Sequence, residues 1–345
     1  MHLFNLLILC ISYIAISVII NIFIRNFAIK NNLFDIPNNR SSHQTPKPKG
    51  GGISIVLPLI LTVTILFFCQ MVDTKIAVSM IIGLTLVGIT GLIDDYKSLS
   101  ALFRVGIYIF SAGLSLHIIG GLDSISINRY SYYLGNAGYY LSILFLVWLT
   151  NLYNFMDGTD GFAAIQTICV SIFCCFLLYF SNNFIFLIIM LCLVSTTIGF
   201  LYWNWAPAKI FMGDVGSCTI GFFFGLLAVY TQNKSIISIG VWVILLSPFI
   251  GDATFTLISR ILNNEKWYSA HNSHAYQKLY QLGLSHAQLG FALLAINLLI
   301  IWPLAYFANA HKNYELLMIM FSYIFVGIIW LTTQSRYKNI IKSLS

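Results

Sequence analysis

Long apolar runs, each broken by a short polar interval, recur from one end of the chain to the other. An α-helix needs roughly 20 apolar residues to cross the hydrocarbon core with every backbone group bonded internally. On that criterion the chain holds eleven such runs, at about 3–24, 51–70, 76–93, 101–120, 137–153, 161–180, 184–203, 217–233, 236–259, 287–308 and 314–333. The pattern predicts an all-α, polytopic membrane helix bundle of about 11 transmembrane helices, with residues 1–345 forming one domain. The first run lacks a basic leading segment and a small-residue cleavage site, and it is too long for a cleavable signal peptide.

Composition agrees with that pattern. Of the 345 residues, 59% are hydrophobic and 8% charged, and the mean hydropathy is +0.85. A soluble domain carries about 25% charged residues, so 18 basic and 11 acidic side chains cannot clothe a water-soluble surface of this size. A soluble enzyme, a disordered chain and a collagen-like fibre are excluded. The net charge of +7 does not point to nucleic acid, because no basic cluster interleaves with aromatics on a polar face. The 7 cysteines fall in or beside apolar runs with no metal-ligand spacing, and read as small buried hydrophobes.

The position of charge says more than its sum. With eleven crossings, the intervals divide between two sides, and Lys and Arg divide fourteen against four. The positive-inside rule then puts the amino terminus outside and the carboxyl terminus in the cytoplasm. Acids follow the same division: Asp35, Asp94, Asp95, Asp157, Asp160, Asp214, Asp252 and Glu265 fall on the inner side. That rule does not govern acids, so their enrichment points to chemistry on the cytoplasmic face.

Each polar interval on that side carries a pattern. The first runs from Asp35 to Gly52, with Lys47 and Lys49 among prolines that fix an extended path, and ends in three glycines that let backbone approach a ligand or another helix. The next holds the adjacent carboxylates Asp94 and Asp95, which repel one another and call for a cation; magnesium suits such hard oxygen ligands. Then comes Asn151-Leu-Tyr-Asn154-Phe-Met-Asp157-Gly158-Thr-Asp160-Gly161, whose two Asp-Gly steps turn carboxylates and backbone N–H groups into one small volume. After Asn204, the stretch Phe211-Met-Gly213-Asp214-Val-Gly216-Ser217 opens the eighth run, where a helix amino end offers free N–H groups to a phosphate. Phe211 is a stacking platform for a base or an interfacial side chain. Asp252 is an acid inside an apolar run, a functional position by default, with Arg260 beyond it. His271 and His274 follow in a loop and suit phosphate better than zinc, which wants more ligands. His2, His117, His286 and His311 receive no role, and the tyrosines between Asp123 and Tyr140 read as an outer loop and aromatic belt.

Taken in order, Asp94-Asp95, Asn151–Gly161, Phe211–Ser217, Pro248–Asp252 and His271–His274 resemble the motifs of the polyprenyl-phosphate N-acetylhexosamine-1-phosphate transferases, over roughly 70% of the chain. The resemblance implies ten or eleven spans and a cytoplasmic active site in a bacterial inner membrane. It implies transfer of the sugar-1-phosphate of a UDP-N-acetylhexosamine to undecaprenyl phosphate with release of UMP, dependent on Mg²⁺, for which Mn²⁺ can substitute. On this reading Asp94, Asp95, Asp157, Asp160, His271 and His274 are catalytic, and Asp214 holds the metal with help from Asp94 and Asp95. Lys47, Lys49, Asn151, Asn154, Asn204, Phe211, Asp252 and Arg260 bind substrate. The partners are the two substrates and the lipid bilayer, with no nucleic acid; a homo-oligomer is compatible. His271-Asn-Ser-His274 departs from the denser histidine runs of the wall-precursor and general N-acetylglucosamine branches and looks like the O-antigen-initiating branch, which can use 6-deoxy amino sugars. A transporter would instead place polar groups near span centres and break helices in paired halves.

Overall fold

The computed structural model describes residues 3–37, 45–127, 130–266 and 271–344. Arg40 and His43 of the first polar interval lie outside them. In chain order the helices are α1 (Leu3–Lys30), α2 (Ile53–Phe68), α3 (Thr74–Tyr96), α4 (Ala101–Ile119), α5 (Asn136–Phe155), α6 (Phe162–Phe180) and α7 (Phe184–Asn204). They continue as α8 (Asp214–Asn233), α9 (Ile239–Leu245), α10 (Ser247–Leu262), α11 (Ala275–Gln281), α12 (His286–Ile296), α13 (Trp302–Ala310) and α14 (Glu315–Leu344). A π-helical turn, Asn297–Ile301, joins α12 to α13. Two small antiparallel ribbons complete the fold: β1 (Phe34–Asp35) on β2 (Lys47–Pro48), and β3 (Ser124–Ile127) on β4 (Tyr130–Tyr133).

The protein is a nearly all-α, multi-pass membrane protein, and every run expected to be helical is helical. Among the described residues, 8 helices are long and apolar enough to cross a membrane, or 9 if α9 and α10 count as one bent span. The remaining two expected spans fall short on different grounds. α2 has only 16 residues, and α5 ends in the polar turn that carries Asn151 and Asn154.

Helix starts follow the local chemistry. Asp73 accepts from the N–H groups of Lys75 and Ile76 at the head of α3, Ser100 from Phe103 at α4, and Ser285 from Gln288 at α12. Each side chain satisfies a donor that the helix itself leaves unpaired. α8 lies at the centre, buried from Val215 to Thr231, with α3 and α5 packed along it and α2 and α4 beside it. Its first residue is Asp214, so the middle of the bundle ends on an acid.

The ninth expected span is broken by 76° between α9 and α10. Pro248 sits in the first turn of α10, where its missing N–H costs nothing but where a helix cannot continue through it. Phe249 N–H turns to Leu246, and the Leu245 carbonyl accepts instead from Gln166 Nε2 at 2.9 Å. Gln166 is held in turn by Asn297 Nδ2, which donates to its Oε1 at 2.8 Å. Freed backbone at membrane depth is tolerated only with such replacement.

All seven cysteines are free; four are buried, Cys10 and Cys175 half-buried, and Cys69, expected inside, is exposed at the end of α2.

Candidate active site

The amino ends of α2 and α4 and the carboxyl ends of α3 and α5 meet at the head of α8. Gly213 takes φ +75° to turn the chain into that helix, a conformation that side chains with a Cβ rarely adopt. The 48–52 segment packs against this turn through backbone hydrogen bonds. Phe211 N–H donates to the Pro48 carbonyl, and Gly51 and Gly52 N–H donate to the carbonyls of Phe211 and Met212, each at 2.9 Å. A Cβ on Gly52 would lie 2.4 Å from the Gly216 Cα, so the expected close backbone approach is made, between two parts of the protein itself.

The amino end of α8 is not open to a phosphate as expected. Asp95 occupies it: its Oδ1 accepts from Asp214 N–H at 3.0 Å and its Oδ2 from Val215 N–H at 3.2 Å. The N–H groups of Gly216 and Ser217 are taken by the Gly213 carbonyl. A carboxylate in this place completes the helix dipole from within the chain.

Asp214 is held from two sides. Arg104 Nη1 donates to its Oδ2 at 2.7 Å and, from the same nitrogen, to Asp94 Oδ2 at 2.7 Å. Asn154 Nδ2 donates to Asp214 Oδ1 at 2.8 Å and to Ser217 Oγ at 3.1 Å. Asp94 is further pinned by Leu99 N–H at 2.6 Å. The paired carboxylates of α3 therefore part company: Asp95 faces α8, and Asp94 faces the arginine of α4. Arg104, which the sequence placed only among positive-side charges, is a central element of the site.

A cavity of about 250 Å³ opens beside these groups, lined among others by Asp35, Lys49, Asp95, Asn154, Asp157, Asp160, Asn204, Phe211, Asp214 and Gln277. Asp157 lies in the turn between α5 and α6. Its desolvated position, and then the charges of Asp214, Asp95 and Asp160, push its carboxyl well above the usual range. Lys49 faces the same space, with Nζ 3.2 Å from Asp35. Burial works against its charge, but Asp35, Asp95 and Asp214 outweigh that and raise its pKa.

Burial of Asp157 beside other acids has a measurable consequence. A carboxyl that binds its proton more tightly when folded makes stability fall as pH rises from about 4 through the folded pKa. Asp157→Asn removes that fall. In detergent with a chelator present, the variant should melt above the wild type at pH 7–8, and the gap should close as pH is lowered toward 4. Equal melting at every pH would mean that Asp157 carries its charge without penalty.

Asp160 differs. Its Oδ2 accepts from Ala208 N–H at 2.9 Å, and His286 Nδ1 lies 3.2 Å from its Oδ1 and 3.0 Å from its backbone nitrogen, so that ring nitrogen accepts from the N–H when bare and donates to the carboxylate when protonated. Burial alone would raise its pKa; His286, Ala208 N–H and the charge of Lys47 outweigh it and hold the carboxyl below the usual range. His286, given no role from sequence, thus anchors a cavity acid. Asn204 has both ends of its amide engaged, accepting from Gly161 N–H at 2.9 Å and donating to the Ile210 carbonyl at 3.0 Å.

Several expected site residues sit apart from the cavity lining. Asn151 Nδ2 donates to the Val147 carbonyl of its own helix. Asp252 caps α11, accepting from Ala275 N–H at 2.8 Å and Tyr276 N–H at 3.2 Å. Arg260 bridges Glu265 at 2.8 Å and Ser273 Oγ at 3.1 Å. His274 is 3% exposed, between the rings of Phe155, His271 and Tyr276. This second cluster positions α11, which brings Gln277 to the cavity.

The donor set suits a hard cation. Carboxylates of Asp95, Asp157 and Asp214 share one small space with the Asn154 amide, and the other acids add to burial in raising the Asp157 carboxyl. Among the described residues no three His, Cys, Asp or Glu side chains form a ready-made cage, and Asp94 is committed to Arg104 rather than to the cavity. Mg²⁺ needs no closed cage, since it keeps several waters and binds through one or two carboxylates plus substrate phosphates.

The pattern of glycosyl transferase family 4 matches residues 77–232, a stretch that contains Asp94, Arg104, Asn154, Asp157 and Asp214. A probable undecaprenyl-phosphate N-acetylglucosaminyl 1-phosphate transferase of Bacillus subtilis (strain 168) is 32% identical over 278 residues, 78% of this chain and 75% of its own length. The chain belongs to glycosyl transferase family 4. A phospho-N-acetylmuramoyl-pentapeptide-transferase of Streptococcus pneumoniae (strain Hungary19A-6) is 26% identical over 221 residues, 60% of this chain and 66% of that one. In this family 4 chain the matched stretch ends near the close of α8, so Lys49, Gln277 and His286 enter the site from outside it.

Proposed function

We propose that the protein transfers N-acetylhexosamine-1-phosphate from a UDP-sugar to undecaprenyl phosphate, releasing UMP, with Mg²⁺ or Mn²⁺ as cofactor. The site would face the cytoplasm across a bacterial inner membrane and start a lipid-linked surface glycan such as O-antigen. The observation that carries this reading is one acid-lined cavity, with Lys49 in its wall, where α3, α5 and α8 end together. The reaction named for the B. subtilis relative supports it.

Phosphoryl transfer asks for positioning and charge neutralisation above all. The acceptor is a phosphate monoester with a second pKa near ~6 by analogy with phosphoamino acids, so near neutral pH it is largely a dianion and needs little help from a base. Its oxygen forms a bond to the sugar-bearing phosphorus as the bond from that phosphorus to UMP breaks. Lys49 offers the approaching anions a positive charge. Asp214, with Asp95 or Asp157, would hold the metal, whose chemistry is to offset charge on the diphosphate. Phe211 and Gln277 offer a stacking face and an amide to the nucleoside.

The test is UMP release from a panel of UDP-N-acetylhexosamines with added undecaprenyl phosphate; no release with any member would overturn the reading. Labelled UMP should not exchange into UDP-sugar when prenyl phosphate is absent, and robust exchange blocked by one Asp substitution would replace direct transfer by a covalent aspartyl intermediate. His286→Ala should raise the KM for UDP-sugar and lower kcat/KM by about 10-fold, the size seen when a partner that orients a site residue is lost. His286→Asn should recover part of it, and an unchanged kcat/KM in His286→Ala would show that Asp160 needs no support. Transport predicts a second broken helix in the other half of the chain; among the described residues there is one bent pair.

A further inference from the structure

A larger cavity lies away from the acids. It is a groove of about 930 Å³ between α10 and α14, and it shares no lining residue with the acid cavity. Its walls are apolar, with Ile258 of α10 and Ile328 and Leu331 of α14 exposed by 48%, 55% and 61%. In a membrane protein such faces are turned to lipid tails. One end is different: Arg260, Lys278 and Lys338 gather there with a single acid, Glu265.

Glu265 is already paired with Arg260 at 2.8 Å, which leaves two ammonium groups facing the groove. Lys278 donates to Gln334 Oε1 and its Nζ lies 4.9 Å from the Tyr337 ring, so it is held in the wall rather than extended into water. Burial, and then the like charge of Lys338, lower its pKa against the opposing pull of Glu265 and Asp252. From Ile324 to Lys338 the groove follows α14 for roughly 21 Å at 1.5 Å per residue. Half of a hydrocarbon core about 30 Å thick is ~15 Å, so the groove fits the depth of one leaflet together with its headgroup.

We propose that this groove binds an anionic glycerophospholipid of the surrounding bilayer, with its phosphate against Lys278 and Lys338 and its acyl chains along Phe255, Ile258, Ile328 and Leu331. Charge chooses the headgroup, since a zwitterionic lipid would bring its own cation against Lys338. The site also braces the neighbouring segment: Gln334 Nε2 donates to the Ser273 carbonyl at 3.1 Å, and Lys278 adjoins Gln277 of the acid cavity. The inference does not depend on the transferase reading.

The experiment uses the full chain, delipidated in a neutral maltoside detergent and titrated with dioleoylphosphatidylglycerol or dioleoylphosphatidylcholine. Native mass spectrometry should show one phosphatidylglycerol retained per chain, with a rise in melting temperature that phosphatidylcholine does not give. Lys278→Gln/Lys338→Gln should weaken retention at least tenfold, while Lys278→Arg/Lys338→Arg keeps it. If the glutamine pair elutes as aggregate, Leu331→Trp is the second probe; it fills the apolar wall, leaves the charges, and should also lower retention. Equal retention by the charge-neutral pair, or by Leu331→Trp, would overturn the proposal, as would equal binding of phosphatidylcholine. Displacement by undecaprenyl phosphate at lower concentrations than phosphatidylglycerol itself requires would reassign the groove to the acceptor and overturn it as well.

Discussion

Asp214→Asn should leave a folded, membrane-inserted protein whose turnover is lower by on the order of 10³-fold, the loss typical when a group that stabilises transition-state charge is removed. Asp214 heads the central helix and receives Arg104 on one oxygen and Asn154 on the other. The amide variant keeps the size and one acceptor oxygen, so the packing of α8 is preserved while the charge that would hold the metal is lost. The measurement is UMP release across a magnesium titration, with monodispersity checked by size exclusion. Near-normal activity at ordinary magnesium levels would remove Asp214 from the metal role.

Arg104→Ala should be nearly as damaging to activity and, unlike Asp214→Asn, should also destabilise the protein, by about 1–3 kcal/mol. That is the cost of leaving half-buried acceptors without a donor, and here Oδ2 of Asp94 and Oδ2 of Asp214 would both lose the Arg104 nitrogen, keeping only Leu99 N–H and the Asn154 amide on their Oδ1 atoms. The two contacts come from a single nitrogen, Nη1, so the planar fork of the guanidinium is not what the geometry uses. A point charge can stand in. Arg104→Lys should therefore recover much of the stability and a measurable fraction of turnover, whereas Arg104→Met should recover neither. Melting curves and UMP release on the three variants decide it, and equal behaviour of Lys and Met would show that charge is not what Arg104 contributes.

The helices were legible because lipid leaves a chain few options: an apolar run must close its own hydrogen bonds, and every expected run is helical, the ninth in two pieces. The break at Leu246 was not legible, since Pro248 within an apolar run is equally compatible with a kink or a first turn. What decides it is Gln166, 79 residues away, accepting the task of satisfying Leu245. The same division holds at the site. Asp157, Asp95 and Asp214 were marked by local pattern, and the fold gathers them around one cavity. Arg104 and His286 were missed because their meaning lies in partners 110 and 126 residues distant. His286 did carry a faint signal, since Ser285 and Gln288 announce a helix start that fixes it in the first turn. Asp252 shows the converse: an acid in an apolar run reads as chemistry, yet its oxygens cap α11.

The 76° bend also decides how the molecule meets its surroundings. At 1.5 Å per residue the 16 residues of α10 are about 24 Å long, and at that angle they advance only about 6 Å along the direction of α9 while travelling about 23 Å sideways. α10 is thus an outrigger rather than a continuation. An added or deleted turn in it would carry its carboxyl end about 5 Å across the α9 axis and only about 1 Å along it.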